Sequence, residues 1–305
     1  MTNTSIGFES YPLSPIQRGM LFHHLEDPRS GVDIEQLVIQ LPETVDVPRL
    51  HSAWQWLVGR HDALRAQFVW DNVDQPQQVI LPTLSVPFVV KDARGLDQSR
   101  HSAELATFLE VDRTRGFDMG HAPLLRLTLF QWNKASFTLV WTFHHALVDG
   151  RSYIHLLREV FDAYQELEKG EIAERPAPLA FREHIYWLQK QNFTAAESFW
   201  KYQLQGFTSP TPLVVDGLPD NPKSEFRHGE AWRYVDCQTT RTLRKIAETH
   251  DLTMNSIVMG AWAILLHRYS GEEDIVFGAT RACRKSSIPG ADGIVGTLIN
   301  TVPIR

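Results

Sequence analysis

The densest chemistry in the chain lies in His144-His145-Ala-Leu-Val-Asp149-Gly150. The run joins titratable imidazoles to an anion that can fix local geometry and a glycine tolerant of positive φ. An unperturbed imidazole, with a pKa of about 6.5, is mostly neutral at pH 7 and can take a proton from an attacking amine or hydroxyl. Those are the needs of an acyl-transfer turn, with His145 as the candidate base. Asp149 either orients a histidine, as a triad carboxylate does, or pairs with an arginine, and spacing alone leaves both open. A metal site made of His144, His145 and Asp149 is set aside, because adjacent strand residues point to opposite faces and do not readily share one ion. The pair His23-His24, on an apparent helix, is a decoy.

Something must position that turn. Leu124 to Phe130 and Phe137 to Phe143 read as apolar strands flanking an Asn133-Lys134 turn, and the second runs straight into His144. Behind the motif, Ile154, Leu157, Phe161 and Tyr164 recur at helical spacing, with Ser152 as the candidate cap. Upstream, Ser14 and Pro15 open a helix, Val38 to Leu41 reads as a strand, and Pro48 to Val58 as a helix burying Leu50, Trp54 and Leu57. Strands are expected at Ala66 to Trp70, Gln78 to Leu81 and Val86 to Val90, and a helix at Ser102 to Val111.

The charged, Pro-rich run Lys169 to Pro178 is the best linker candidate. It divides the chain into an N-terminal lobe, 1–175, and a second lobe, 176–305. Beyond it the spacing predicts a helix from Phe181 to about Tyr202 and a loop from Ser209 to Pro222. A strand from Ala231 to Cys237, helices Thr239 to Thr249 and Asn255 to Tyr269, and a strand Asp274 to Gly278 complete an α/β pattern.

Of 305 residues, 43% are apolar and 22% charged, enough for a large core. The net charge of −6 supplies no basic field for a phosphate backbone, which argues against nucleic acid as a partner. The longest apolar stretch, Ile257 to Leu266, is about half of the roughly 20 residues a bilayer span needs, and the N-terminus shows no signal pattern, so a cytoplasmic protein with no membrane partner is expected. Cys237 and Cys283 lack metal-ligand spacing and are read as ordinary thiols.

The histidine run matches HHxxxDG, and the chain resembles the condensation domains of nonribosomal peptide synthetases well beyond it. Ser14-Pro-Ile-Gln17-Arg-Gly-Met20 resembles that family's opening SxxQ segment, Arg60-His61-Asp62-Ala-Leu64-Arg65 its RHxxLR segment, and Gly296-Thr-Leu-Ile-Asn300-Thr301-Val-Pro-Ile-Arg305 its GxxxNTxPxR segment. HHxxxDG alone is moderately specific, since related CoA-dependent acyltransferases share its core. Four segments in order are far more so.

The resemblance implies two lobes like chloramphenicol acetyltransferase, arranged in a V, with the second lobe incomplete because the family continues past this last segment. It implies amide formation between two carrier-bound thioesters, delivered on phosphopantetheine arms of upstream and downstream carrier proteins, beside adjacent synthetase domains and with no directly bound cofactor. His145 would position or deprotonate the acceptor amine, backbone near Gly150 would help stabilise the oxyanion, and Asp149 would be held by an arginine, with Arg284 of the second lobe as candidate. Arg60 and Arg65 would brace the site. Residues 11–24 and 196–212 look most like the subgroup that follows an epimerisation domain and accepts a D-configured donor. Two other readings stay open: a non-catalytic remnant that binds carrier protein, and an epimerisation-type domain with the same histidine motif.

Overall fold

The computed structural model describes residues 8–28, 30–213, 231–285 and 288–305. They form two compact units: Met1–Gln191 with Arg281–Asn300, and Asn192–Thr280 with Thr301–Arg305.

In the first unit, β1 (Glu9–Pro12) leads into α1 (Pro15–Glu26). Ser14 caps that helix through a capping box with Gln17, and Pro15 sits where its missing N–H costs nothing. Next come β2 (Ile34–Leu41) and α2 (Val47–Arg60). Asp46 caps α2, which buries Leu50, Ala53, Trp54, Leu57 and Val58 on one stripe. A 3-10 turn, Asp62–Arg65, precedes β3 (Ala66–Val69), β4 (Gln77–Ile80), β5 (Phe88–Asp92) and α3 (Gln98–Arg115). The unit continues through β6 (Leu125–Asn133), β7 (Ser136–His144), α4 (Gly150–Glu168) and α5 (Phe181–Gln189).

The main sheet has the order β2-β7-β6-β5, antiparallel except for the parallel β5–β6 pair. Its inner strands are buried on both faces, which explains why β6 and β7 read as continuous apolar runs rather than alternating ones. Leu127, Leu129, Leu139 and Trp141 belong to the main core with residues of α2 and α4, and Trp54 meets Trp141 edge to face at 4.9 Å. Phe130 and Val140 form a second cluster with Leu105, Phe108 and Leu109 of α3. A buried polar knot fixes α3: Arg126 donates to Asp112 at 2.6 Å, and Thr142 donates to the same carboxylate at 2.6 Å. A smaller sheet has the order β1-β4-β3.

The second unit holds α6 (Phe193–Gln203), α7 (Cys237–Thr249) and α8 (Met254–Ser270). The strands β8 (Phe277–Ala282) and β9 (Ile299–Ile304) pair as a two-stranded sheet and carry the chain across the unit boundaries. Among the described residues no helix is long and apolar enough to cross a membrane.

Several expectations change. The helix foreseen from Phe181 to Tyr202 is two helices, because Asn192 accepts from the Ala195 N–H and starts α6 afresh. The strand expected at Ala231–Cys237 does not form: Asp236 caps α7, so Cys237 is already helical. The last expected strand begins later, at Phe277. Part of the Ser209–Pro222 loop lies outside the described residues. The Lys169–Pro178 run does not divide the units, since α5 stays with the first and Arg281–Asn300 returns to it.

Candidate active site

The strand β7 ends at His144, paired with Ile34 of β2, and the next five residues turn the chain into α4. Asp149, not Ser152, caps α4: its carboxylate accepts from the N–H groups of Arg151 and Ser152 at 3.2 and 2.9 Å. Gly150 is the first helical residue, exposed and without the positive φ expected of it. A Cβ there would meet the Tyr153 ring at 3.7 Å, an ordinary contact.

The two histidines do different things. His144 is 3% exposed, and its Nδ1 accepts from the Ala146 N–H at 3.1 Å, which leaves the neutral ring's proton on Nε2. Burial, with smaller contributions from the nearby His24 and His145, pushes its pKa down to about 3, so it stays neutral at any physiological pH. An open pocket lies beside it, lined in part by His24, Asp33 and Phe117. His145 is partly exposed, with Nδ1 buried and no protein partner on it. Its backbone is held instead: the His145 N–H donates to Asp33 O at 2.8 Å, and Thr297 Oγ1 donates to His145 O at 2.7 Å.

Asp149 is 1% exposed and fully engaged elsewhere. Oδ1 accepts from Arg284 Nη2 at 2.6 Å and from Ser152 Oγ at 3.0 Å, and Oδ2 accepts from the Leu298 N–H at 2.9 Å. Neither oxygen bonds to His144 or His145, so of the two roles left open by spacing the geometry has the ion pair and not the triad. Arg284, 2% exposed, also donates through Nη1 to Ala291 O at 3.1 Å and Ile294 O at 2.6 Å. Ser152 Oγ accepts from Arg284 Nη2 at 2.8 Å and lies 2.8 Å from Gly296 O. Together these bonds fasten residues 291–298 to the start of α4. All of these residues lie in the first unit; Arg284, expected from a second lobe, belongs there too.

Arg60 and Arg65 do not reach the turn. Arg65 donates to Val58 O, Gly59 O and Leu81 O and to Asp62, closing the end of α2. Arg60 donates to Glu159 of α4 at 3.0 Å and to Pro176 O at 2.7 Å, and the buried His61 lies 3.0 Å from the same Glu159 oxygen. Burial alone would raise the Glu159 pKa; the bonds from His61 and Arg60 outweigh it and hold the carboxyl below its ordinary range. Arg60 and His61 of the RHxxLR segment therefore grip α4, the helix that the motif leads into.

Sequence reasoning missed Thr297, the Ser152 hydroxyl contacts and the Glu159 link. No local pattern flags Thr297, which meets His145 across 152 positions. Among the described residues no cluster of His, Cys, Asp or Glu could hold a metal ion.

A family model for the condensation domain matches residues 8–305. A linear gramicidin synthase polypeptide of Brevibacillus parabrevis is 42% identical over 97% of this chain, and bacitracin synthase 1 of Bacillus licheniformis 32% over 97%. The chain spans only 6% of each of those two proteins. Among solved structures, the first condensation domain of the calcium-dependent antibiotic synthetase, in complex with a substrate analogue, superposes with a TM-score of 0.78 at 18% identity, covering 99% of this chain and 70% of that one. The starter condensation domain of rhizomide synthetase matches with a TM-score of 0.77 at 20% identity, covering 97% and 66%. The mixed α/β fold is thus that of condensation domains, and with its family model running from residue 8 to residue 305 the chain belongs to the condensation-domain family.

Proposed function

We propose that this chain performs the condensation step of nonribosomal peptide synthesis, joining a donor acyl or peptidyl thioester to an acceptor aminoacyl thioester. The carrying observation is the His144–Gly150 turn, with His145 partly exposed on a pinned backbone and Asp149 locked to Arg284. The acceptor amine attacks the donor carbonyl carbon, the C–N bond forms, and negative charge collects on the carbonyl oxygen. We assign stabilisation of that charge to the backbone N–H of Gly150, at the start of α4, because the N–H groups of Arg151 and Ser152 already bond to Asp149. Collapse expels the donor thiolate of a phosphopantetheine arm. The proton lost by the amine passes to the His145 imidazole and from there to the departing sulfur.

Asp149 takes no proton in this scheme; it holds the frame. We assign the first unit to the first lobe of the two-lobed family architecture and the second unit to the other lobe. Upstream and downstream carrier proteins are the partners, within a synthetase much longer than this chain, as the gramicidin and bacitracin relatives are. The test is to offer donor- and acceptor-loaded carriers and look for a dipeptidyl thioester on the acceptor. Carrier binding without amide formation would indicate a binding remnant, and α-carbon deuterium exchange without amide formation an epimerisation-type domain.

A further inference from the structure

Among the described residues no side chain hydrogen-bonds to the His145 ring: its Nδ1 is buried without a protein partner, and Asp149 is bound elsewhere. The backbone that carries the imidazole, by contrast, is held by hydrogen bonds. Three successive peptide groups around His145 are pinned. On their N–H sides, His145 donates to Asp33 O at 2.8 Å, Ala146 to His144 Nδ1 at 3.1 Å, and Leu147 to His144 O at 3.0 Å. On their carbonyl sides two side chains close the arrangement: Thr297 Oγ1 donates to His145 O at 2.7 Å, and Gln17 Nε2 donates to Ala146 O at 2.9 Å.

Both donors are themselves rigid. Thr297 is 0% exposed, between Gly296 and Leu298, whose backbone groups bond to Ser152 and Asp149. Gln17 is 1% exposed, and its Oε1 accepts from the Ser14 N–H at 3.0 Å and from Gln78 Nε2 at 3.1 Å. Losing either donor removes the carbonyl-side bond of its peptide and leaves that peptide held through its N–H alone.

We propose that Gln17 and Thr297 are positioning residues that aim the His145 imidazole by clamping the carbonyls of Ala146 and His145. This rests on the reading of His145 as the group that handles the amine proton. Reorientation by a fraction of an ångström matters there, because a misplacement of about 1 Å can cost on the order of 100-fold in rate.

The test uses the full chain with Thr297→Val, which keeps the shape and removes the hydroxyl; Thr297→Ser, which restores it; and Gln17→Glu, which keeps the capping acceptor and removes the donor. Turnover of carrier-loaded thioesters is read beside the His145 ring signal in ¹³C–¹H NMR, assigned by its loss in His145→Ala, and the melting temperature shows that each variant is folded. Thr297→Val and Gln17→Glu are expected to lower kcat by about 10- to 100-fold with KM unchanged and to shift the His145 signal. Thr297→Ser should recover most of both. A His145 signal unmoved in folded Thr297→Val and Gln17→Glu, with turnover at the parent rate, overturns the clamp. Turnover that survives in His145→Ala overturns the catalytic reading instead, and the ring signal still decides whether the clamp exists.

Discussion

Asp149 and Arg284 are each almost fully buried, and a 2.6 Å bond joins their opposite charges. Removing one partner strands the other in a low-dielectric interior, which costs about 3–5 kcal/mol. Asp149→Asn should therefore lower the urea-unfolding free energy by about that amount, and pairing it with Arg284→Met should recover part of the loss. A double variant as unstable as the two single losses added together would contradict the ion pair. His144 makes a different prediction, about pH. Burial holds its pKa near 3, well under the unfolded value of about 6.5, so between those limits the unfolded chain binds a proton that the folded chain refuses. Stability is full above pH 6.5 and falls as the solution is acidified, by up to about 1.4 kcal/mol per pH unit for this group. Burial of His184 lowers its pKa to about 4 and adds in the same direction over a slightly narrower window. NMR titration should show no step for the His144 ring between pH 8 and 5, and a midpoint near 6.5 would refute its neutrality.

At the level of elements, the segment Ala291 to Leu298 matters as much as β7 and α4, because it supplies bonds to Asp149, Ser152 and Arg284 alike. Gly296 is a glycine for space, not for φ: a Cβ there would overlap the Phe181 ring of α5, itself 2% exposed. Gly296→Ala should cost about 1–3 kcal/mol by overpacking and should loosen the turn. Adding Phe181→Leu should restore stability, as read by thermal melting, and failure to restore it would show that the ring is not the obstacle. Much of the element scale was legible beforehand. Cap chemistry at Ser14 and the apolar runs of β6 and β7 placed α1 and the central strands, because those signals are local. The strand β1 was missed because four residues ending in proline carry almost no period. The cap of α4 is Asp149 and not the expected Ser152, because one carboxylate serves both the motif and the helix start, and spacing alone does not separate those two jobs.

For the whole molecule, a linear cut at a Pro-rich run could not foresee that Arg281–Asn300 returns to the first unit. The bonds that bring it back join positions 132 to 152 residues apart, and no spacing rule reaches that far. The turn was legible as a motif, since its seven residues are contiguous, while the bonds from Thr297 and Gln17 to the backbone around His145 were not, since those two residues come from opposite ends of the chain. The central claim is that amide formation here depends on the His145 imidazole. Its most direct test is a single-turnover measurement with donor- and acceptor-loaded carrier proteins, comparing the parent chain with His145→Ala once both are shown to be folded and to bind carrier equally. The account predicts a dipeptidyl thioester from the parent and a rate lower by about 100-fold or more in the variant, as expected when a general base is removed. Equal rates from the two proteins would contradict it.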